Sequence, residues 1–397
     1  MTWPDLPPDS LFGIANLPYG VFSLADGQPP RVGVRIGDSV LDLALALGDD
    51  VFGEPSLNAF MAQGRARWSE VRSRITELLT GPQHRRIVEA ALFPLSQARL
   101  HLPFVPGDYV DFFGNEYHAA NAGRLFRPGG EALTPNWKHL PIGYHGRSGT
   151  IVLSGTPITR PRGQRKTPDQ DVPTFGPSRR LDFEAEVGFV VGVGSTGPVP
   201  VADFAEHAFG VFLLNDWSSR DLQAWESRPL GPFLAKSFAT SVSPWVVPLD
   251  ALEHARVSPP PRDPEPLPYL ADTEKWGLDL TLEVRLNGQL VARPPFAATY
   301  WTAAQMLAHM TVNGASTRPG DLFASGTVSG PDRDQGGCLL ELTWGGAEPL
   351  TLADGSVRSW LEDGDEVTIG ATAPAAGGAR LGFGEVAGQI LPSLVTD

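Results

Sequence analysis

The chain of 397 residues holds a single cysteine, Cys338, and only four methionines and six tyrosines. One thiol cannot close an intrachain disulfide, so disulfide-stapled secreted folds are excluded and a reducing compartment fits. Positive charge is scarce too: 31 lysines and arginines face 45 aspartates and glutamates, a formal charge of −14. Such a surface argues against a nucleic-acid backbone or an anionic membrane face as partner. No apolar run approaches the ~18 residues of a membrane span. The opening Met1-Thr-Trp-Pro-Asp-Leu-Pro-Pro lacks the basic region and apolar run of a signal peptide. A soluble, cytoplasmic protein is expected.

Glycine and proline are abundant, with 44 and 38 residues, about a fifth of the chain. A chain that turns so often favours β architecture over helical bundles. Apolar residues make up 42%, enough for a sizeable core. The length exceeds one typical domain and predicts two unequal ones.

Local patterns give the organisation. Val32–Ile36, Gly37-Asp38 and Ser39–Leu43 read as a hairpin. From Ser56 to about Leu79, apolar residues recur at three- and four-residue steps, predicting one amphipathic helix with Ser56 as its cap. Two prolines in Leu100–Gly107 place a domain junction there, giving an amino-terminal domain over 1–103 and a larger body over 104–397. In that body Leu181–Gly192 alternates cleanly, and Val211–Leu214 is a continuous apolar run, as in a buried strand. Asn287-Gly288 marks a hairpin turn, and Thr302-Ala-Ala-Gln305 a capping box whose helix Gly314 can close. Pro161–Ser178 and Ser258–Leu270, rich in proline and charge, read as long surface loops or lids.

The chemistry-bearing residues start with Glu184 and Glu186. On one strand they share a face, about 6–7 Å apart at ~3.3 Å rise per residue, so they can converge on one cation. Taken alone, the pair reads first as the solvated outer face of an antiparallel strand. Asp216 ends an apolar strand, and Asp111 lies among apolar neighbours in Asp108-Tyr-Val-Asp-Phe-Phe113. Charges are rarely buried unpartnered. Four carboxylates without cysteine describe a hard oxygen site for Ca2+ or Mg2+ rather than zinc. His118 and His145 are rival candidates for a general base, and either could be structural. Arg127, Arg220 and Lys236 would reverse the negative field locally for an anionic substrate.

Several long strings carry a resemblance: Asn16–Phe22, Leu57–Met61, Pro135–Arg147, Asn215–Asp221, Arg318–Pro331 and Leu381–Gly384. Through them the chain resembles, nearly end to end, the fumarylacetoacetase (fumarylacetoacetate hydrolase) family. The resemblance implies a mainly β fold with few helices: an amino-terminal SH3-like β-barrel, a carboxy-terminal mixed β-sandwich roll, and a homodimer. It implies Ca2+ ligation by Asp111, Glu184, Glu186 and Asp216, and a Mg2+ beside Lys236 and Thr240. His118 would activate water with Glu341 orienting it, and Arg220, Gln223 and Lys236 would stabilise the leaving carbanion. Arg127, Tyr144, Gln223 and Thr327 match substrate-contacting positions. The implied reaction is hydrolysis of a carbon–carbon bond in a small anionic diketo acid, 4-fumarylacetoacetate, to fumarate and acetoacetate. This is the last step of tyrosine and phenylalanine catabolism. Phe113 and Ser227 stand where tyrosines are expected, and Ala239 where glycine is. Decarboxylases, isomerases and hydratases of the same fold are the alternative, and a non-catalytic metal-binding protein is a third.

Overall fold

The computed structural model describes residues 6, 7, 9–25 and 27–394. Most of the opening stretch read for a targeting signal lies outside the described residues. No helix among those described is long and apolar enough to cross a membrane. The fold is mostly β.

Near the amino terminus a five-stranded antiparallel sheet runs Leu92–Pro94, Ser39–Asp42, Arg31–Ile36, Tyr19–Ser23, Arg99–His101. Its helices pack beside it. The helix expected from Ser56 is two helices, Asn58–Met61 and Arg65–Thr80. Gly64, at φ +87°, turns the chain between them, and Leu57 rather than Ser56 stands at the first cap position. The expected strand end at Leu43 instead starts a short helix, Leu43–Leu47, whose first turn Asp42 caps by accepting from the Leu45 N–H.

Among the described residues, the larger body holds two large sheets and four two-stranded ones. The first runs Gly143–His145, Tyr109–Phe112, Leu322–Ala324, Ala185–Val191, Ala208–Asp216, Thr240–Val242, Ile151–Leu153, and mixes parallel with antiparallel pairs. The second runs Gln289–Ala292, Thr281–Leu286, Glu366–Pro374, Val386–Leu391, Ile158–Thr159. The expected Asn287-Gly288 turn joins its first two strands, with φ at +51° and +79°. The Thr302–Gln305 capping box opens the helix Ala303–Thr311.

Both faces of the first sheet are covered. Val187, Phe189 and Leu213 meet Leu282, Val284, Val367 and Ile369 of the second sheet in the main core. Val190, Phe212 and Leu214 point the other way, into a core with Tyr19, Phe60 and Trp68. This double burial is why these strands read as near-continuous apolar runs. It also means a carboxylate at the end of such a strand is held out of water.

Two sequence readings change here. Leu181–Gly192 is not one strand: Leu181–Asp182 pairs with Ser218–Ser219, and a separate strand starts at Ala185. The Asp182 carboxylate bends the chain by accepting from the N–H groups of Phe183, Leu339 and Leu340. Pro161–Ser178 is largely a hairpin, Arg162–Arg165 with Thr174–Pro177, because its backbone pairs across the turn instead of facing solvent. Ser258–Leu270 stays irregular up to a single turn at Pro268–Leu270.

Candidate active site

The first sheet gathers acidic residues at one end. Asp111 sits opposite Tyr144 in register, and Asp216 opposite Thr240. Glu184 precedes the strand that carries Glu186. One oxygen from each of Asp111, Glu184, Glu186 and Asp216 lies within 4.8 Å of the others, and all four residues are buried. The solvated-face reading of Glu184 and Glu186 therefore fails: Glu186 is 0% exposed.

Lys236 and Arg220 share this nest. The Lys236 ammonium donates to Glu184 and, at 2.9 Å, to Asp216 Oδ2. Arg220 donates from Nη1 to Glu184 Oε1 at 2.7 Å and to Gln223 Oε1 at 3.1 Å, and from Nε to Asp182 Oδ2 at 2.8 Å. Burial pushes the Glu184 carboxyl up, but Lys236 and Arg220 together outweigh it and hold it low. Burial likewise pulls Lys236 down, and Asp216 and Glu184 more than reverse that, so it stays an ammonium. An ammonium has no lone pair for a metal, so of the residues read beside a Mg2+ only Thr240 offers a side-chain oxygen.

Asp111 and Glu186 are different. Burial, then the charge of Asp216, holds Asp111 well above the usual carboxylate range; burial, then Asp111, does the same to Glu186. Asp111 Oδ1 and both Glu186 oxygens are buried without a hydrogen-bond partner. Burying such atoms is costly unless something binds them. An oxygen-only nest with orphaned oxygens fits a hard divalent cation, which would relieve the crowded charge.

Beside the nest stands a hydrogen-bonded histidine. Asn115 caps the helix Glu116–Phe126 by accepting from the His118 N–H at 3.0 Å. The His118 ring lies with Nδ1 2.7 Å from Glu341 Oε2. Glu341 also accepts from Ser329 Oγ at 2.7 Å, Asn121 Nδ2 at 3.0 Å and Cys338 Sγ at 3.2 Å. Burial pushes the Glu341 carboxyl up, but His118, Asn121 and Ser329 together outweigh it and keep it below its ordinary value. A carboxylate fixing Nδ1–H leaves Nε2 free as a base. The rival, His145, has its side chain 78% exposed, with Nδ1 3.7 Å from Asp108 Oδ1.

A cavity of about 370 Å³ opens onto the nest, with Tyr144, Asp216, Lys236, Thr240, Arg147 and Phe233 on its walls. A larger cleft, about 540 Å³, lies beside the helix Arg65–Thr80 and contains none of the four nest carboxylates.

Two family models cover the chain: the fumarylacetoacetate (FAA) hydrolase C-terminal model over residues 109–390 and the fumarylacetoacetase N-terminal model over 15–103. Human fumarylacetoacetase is 47% identical, with 98% of each chain covered, and the Arabidopsis thaliana enzyme 46%, again with 98% of each. The chain belongs to the fumarylacetoacetase family. Its fold matches a fumarylacetoacetate hydrolase from Exiguobacterium antarcticum, with a TM-score of 0.57 and 17% identity over 95% of this chain and 99% of that one. It also matches a maleylpyruvate hydrolase from Sphingobium, with a TM-score of 0.54 and 17% identity over 95% and 100%. As in its curated relatives, the chain is a hydrolase.

Within this family frame, the remaining sequence candidates separate. Tyr144 joins the nest, its hydroxyl 2.8 Å from Asp111 Oδ2 and 2.9 Å from Asp216 Oδ2. Thr240 Oγ1 is 3.4 Å from Asp216 Oδ1. Thr327 Oγ1 and Arg220 Nη2 are buried without partners, free to meet a ligand. Arg127 does not reach the nest carboxylates; its guanidinium donates to the Ala132 carbonyl at 3.0 Å. Phe113 packs edge-on against the His118 ring, centroids 5.3 Å apart. Sequence reasoning missed Asp182, Asn121 and Ser329. Asp182 shares the parity of Glu184 and Glu186, and Asn121 stands three residues after His118 on one helix face, both usable signals; Ser329 carries none.

Proposed function

We propose that this chain hydrolyses the carbon–carbon bond of 4-fumarylacetoacetate to fumarate and acetoacetate, ending tyrosine and phenylalanine breakdown. The observation that carries this reading is the His118–Glu341 pair standing beside a four-carboxylate nest that Lys236 and Arg220 partly neutralise.

Asp111, Glu184, Glu186 and Asp216 would hold Ca2+, with Mg2+ as an alternative occupant or a second ion beside Thr240. A cation there supplies positive charge to substrate oxygens and so favours enolate formation. His118 Nε2 takes a proton from water while Glu341 steadies the imidazolium. The water oxygen bonds to the ketone carbon, and the carbon–carbon bond then breaks with its electron pair leaving as the acetoacetate enolate. Lys236, Arg220 and Gln223 face that developing negative charge, the hardest demand of the reaction. The proton on His118 returns to the enolate carbon. Arg127, Tyr144, Gln223 and Thr327 would contact substrate, and the orphaned Thr327 hydroxyl supports its part.

A cytoplasmic location is supported by the single, buried cysteine. A homodimer is supported by exposed apolar side chains at Leu230, Phe233 and Leu234, which a second copy would cover. A domain division at 103/104 is supported by the two family models ending and starting on either side of it.

The test follows the loss of fumarylacetoacetate absorbance with Ca2+ or Mg2+, then with chelator. Activity should vanish with the metal, and His118→Ala should lower kcat by roughly 10²–10⁴. A folded, metal-loaded protein that leaves fumarylacetoacetate intact would refute the reading.

A further inference from the structure

The second group of metal-capable side chains lies on the far side of the base. His118, Cys338 and Glu341 are all buried and offer nitrogen, sulfur and oxygen donors within 4.8 Å of one another. We propose that these three residues form a separate, inhibitory site for a thiophilic divalent ion such as Zn2+ or Cd2+. The inhibition, though not the binding, rests on His118 being the base proposed above.

Donor chemistry distinguishes this site from the nest. Thiolate and imidazole select softer ions, whereas an all-carboxylate site suits Ca2+ and Mg2+. The spacing is close to what such an ion requires. Bond lengths of ~2.0–2.3 Å in a tetrahedron hold donors roughly 3.3–3.6 Å apart. Here Sγ is 3.2 Å from Glu341 Oε2 and 3.9 Å from His118 Nδ1. Nδ1 and Oε2 are 2.7 Å apart and would open by about 0.6 Å as their hydrogen bond is lost. The fourth position can be taken by the Ser329 hydroxyl, already 2.7 Å from Glu341 Oε2, or by water. A cavity of about 270 Å³, lined by Asn121, Gly336 and Trp344, reaches one of the three ligands, Glu341.

The charge balance is favourable. The thiol proton goes to solvent, and the imidazole hydrogen moves from Nδ1 to Nε2. A buried carboxylate with two neutral partners, net −1, becomes a neutral assembly of thiolate, carboxylate and divalent ion, so the buried site is left without net charge. The same tautomer shift disables catalysis. With a hydrogen on Nε2, the ring has no lone pair there to accept a proton from water.

Because Cys338 is the only cysteine, a thiolate-to-metal charge-transfer band in the ultraviolet reports this site alone. Cd2+ is titrated into enzyme saturated with Ca2+. The band should rise to saturation at one equivalent and be absent from Cys338→Ser, with Cys338→Ala as a second thiol-free variant. In parallel, the Zn2+ concentration that halves each variant's own rate should rise about tenfold or more on loss of the thiol. Excess Ca2+ should not relieve inhibition of the unmodified chain. Absence of the band in folded holoenzyme would overturn the site. Equal Zn2+ sensitivity with and without the thiol, or a band with undiminished turnover, would overturn its inhibitory role. Failure of the hydrolase reading itself would show as no turnover before any Zn2+ is added.

Discussion

Loading the carboxylate nest with a divalent ion should expel protons, and the number follows from its charges. Two like charges ~4.8 Å apart repel by about 3.5 kcal/mol at an effective dielectric of 20. Four carboxylates at such spacing face two cations, Lys236 and Arg220, and Arg220 is shared with Asp182. Glu184 is held ionised by those cations. The excess falls on Asp111 and Glu186, whose carboxyls are pushed well up. Tyr144 shows the same need. Its hydroxyl touches both Asp111 Oδ2 and Asp216 Oδ2, yet it has one hydrogen to donate. A proton on Asp111 makes both contacts hydrogen bonds.

Metal binding near pH 7 should therefore release about one to two protons. Calorimetric titration of the metal-free protein with Ca2+ in buffers of different ionisation enthalpy reads this number as the slope. The stability of the metal-free protein carries the same sign. Carboxyls raised in the folded state bind more protons there than in the unfolded chain, so stability falls as pH rises through their folded pKa. The opposing contribution of Glu184, lowered on folding, is lost only below its ordinary range and leaves the neutral window alone. Urea midpoints without metal should thus increase from pH 8 to pH 6. A binding enthalpy independent of buffer, with a midpoint that rises toward alkaline pH, would refute the reasoning.

Glu341→Gln removes the charge that faces His118 at 2.7 Å. A hydrogen bond to a charged group is worth roughly 1.5–3 kcal/mol, so kcat should fall about 10- to 150-fold. Metal content by elemental analysis should stay unchanged, and a kcat within twofold of the parent contradicts the pairing. Phe113→Tyr adds a hydroxyl beside the His118 ring and should alter KM while leaving kcat intact; a large rise in kcat counts against it. Gly64→Ala tests the joint between the two amino-terminal helices. An added Cβ would meet only Val193 Cγ2, at 3.7 Å, so the cost is backbone strain at φ +87° and ψ 167°, about 1–3 kcal/mol in urea unfolding. An unchanged midpoint would remove Gly64 as the cause of the break.

The legible parts of the sequence were those fixed by neighbours along the chain. The Asn287-Gly288 turn and the Thr302 capping box are local devices, and both form as read. Glu184 and Glu186 could be placed on one face by alternation, and Asp216 at a strand exit by the apolar run before it. The chain breaks at Gly64 and at Phe183-Glu184 were not legible. The first is one glycine inside an unbroken helical pattern. The second is imposed by hydrogen bonds to Leu339 and Leu340, more than 150 residues away. The partners of Glu341 were hidden too, since Asn121 reaches it from 220 residues away and Ser329 from across an irregular turn of the chain.

Asp182 shows how much such a residue can carry. Its Oδ1 accepts from Phe183 N at 2.9 Å and Leu339 N at 2.7 Å; its Oδ2 accepts from Leu340 N at 3.0 Å and Arg220 Nε at 2.8 Å. One carboxylate thus fixes both the arginine of the nest and the start of the segment that presents Glu341. In Asp182→Asn one oxygen becomes an NH2 group, and that donor must face two N–H groups with nothing to accept from them. Arg220 also loses one of its two buried counter-charges. Breaking a buried ion pair costs about 3–5 kcal/mol, to be read as the shift in denaturant unfolding. If the variant folds, kcat should fall more than KM rises, because both groups act on the developing charge rather than on bound substrate. Asp182→Glu, which restores the charge, should recover part of the loss in kcat. A stable Asn variant with unchanged kcat would show that Arg220 and Glu341 are held in place without Asp182.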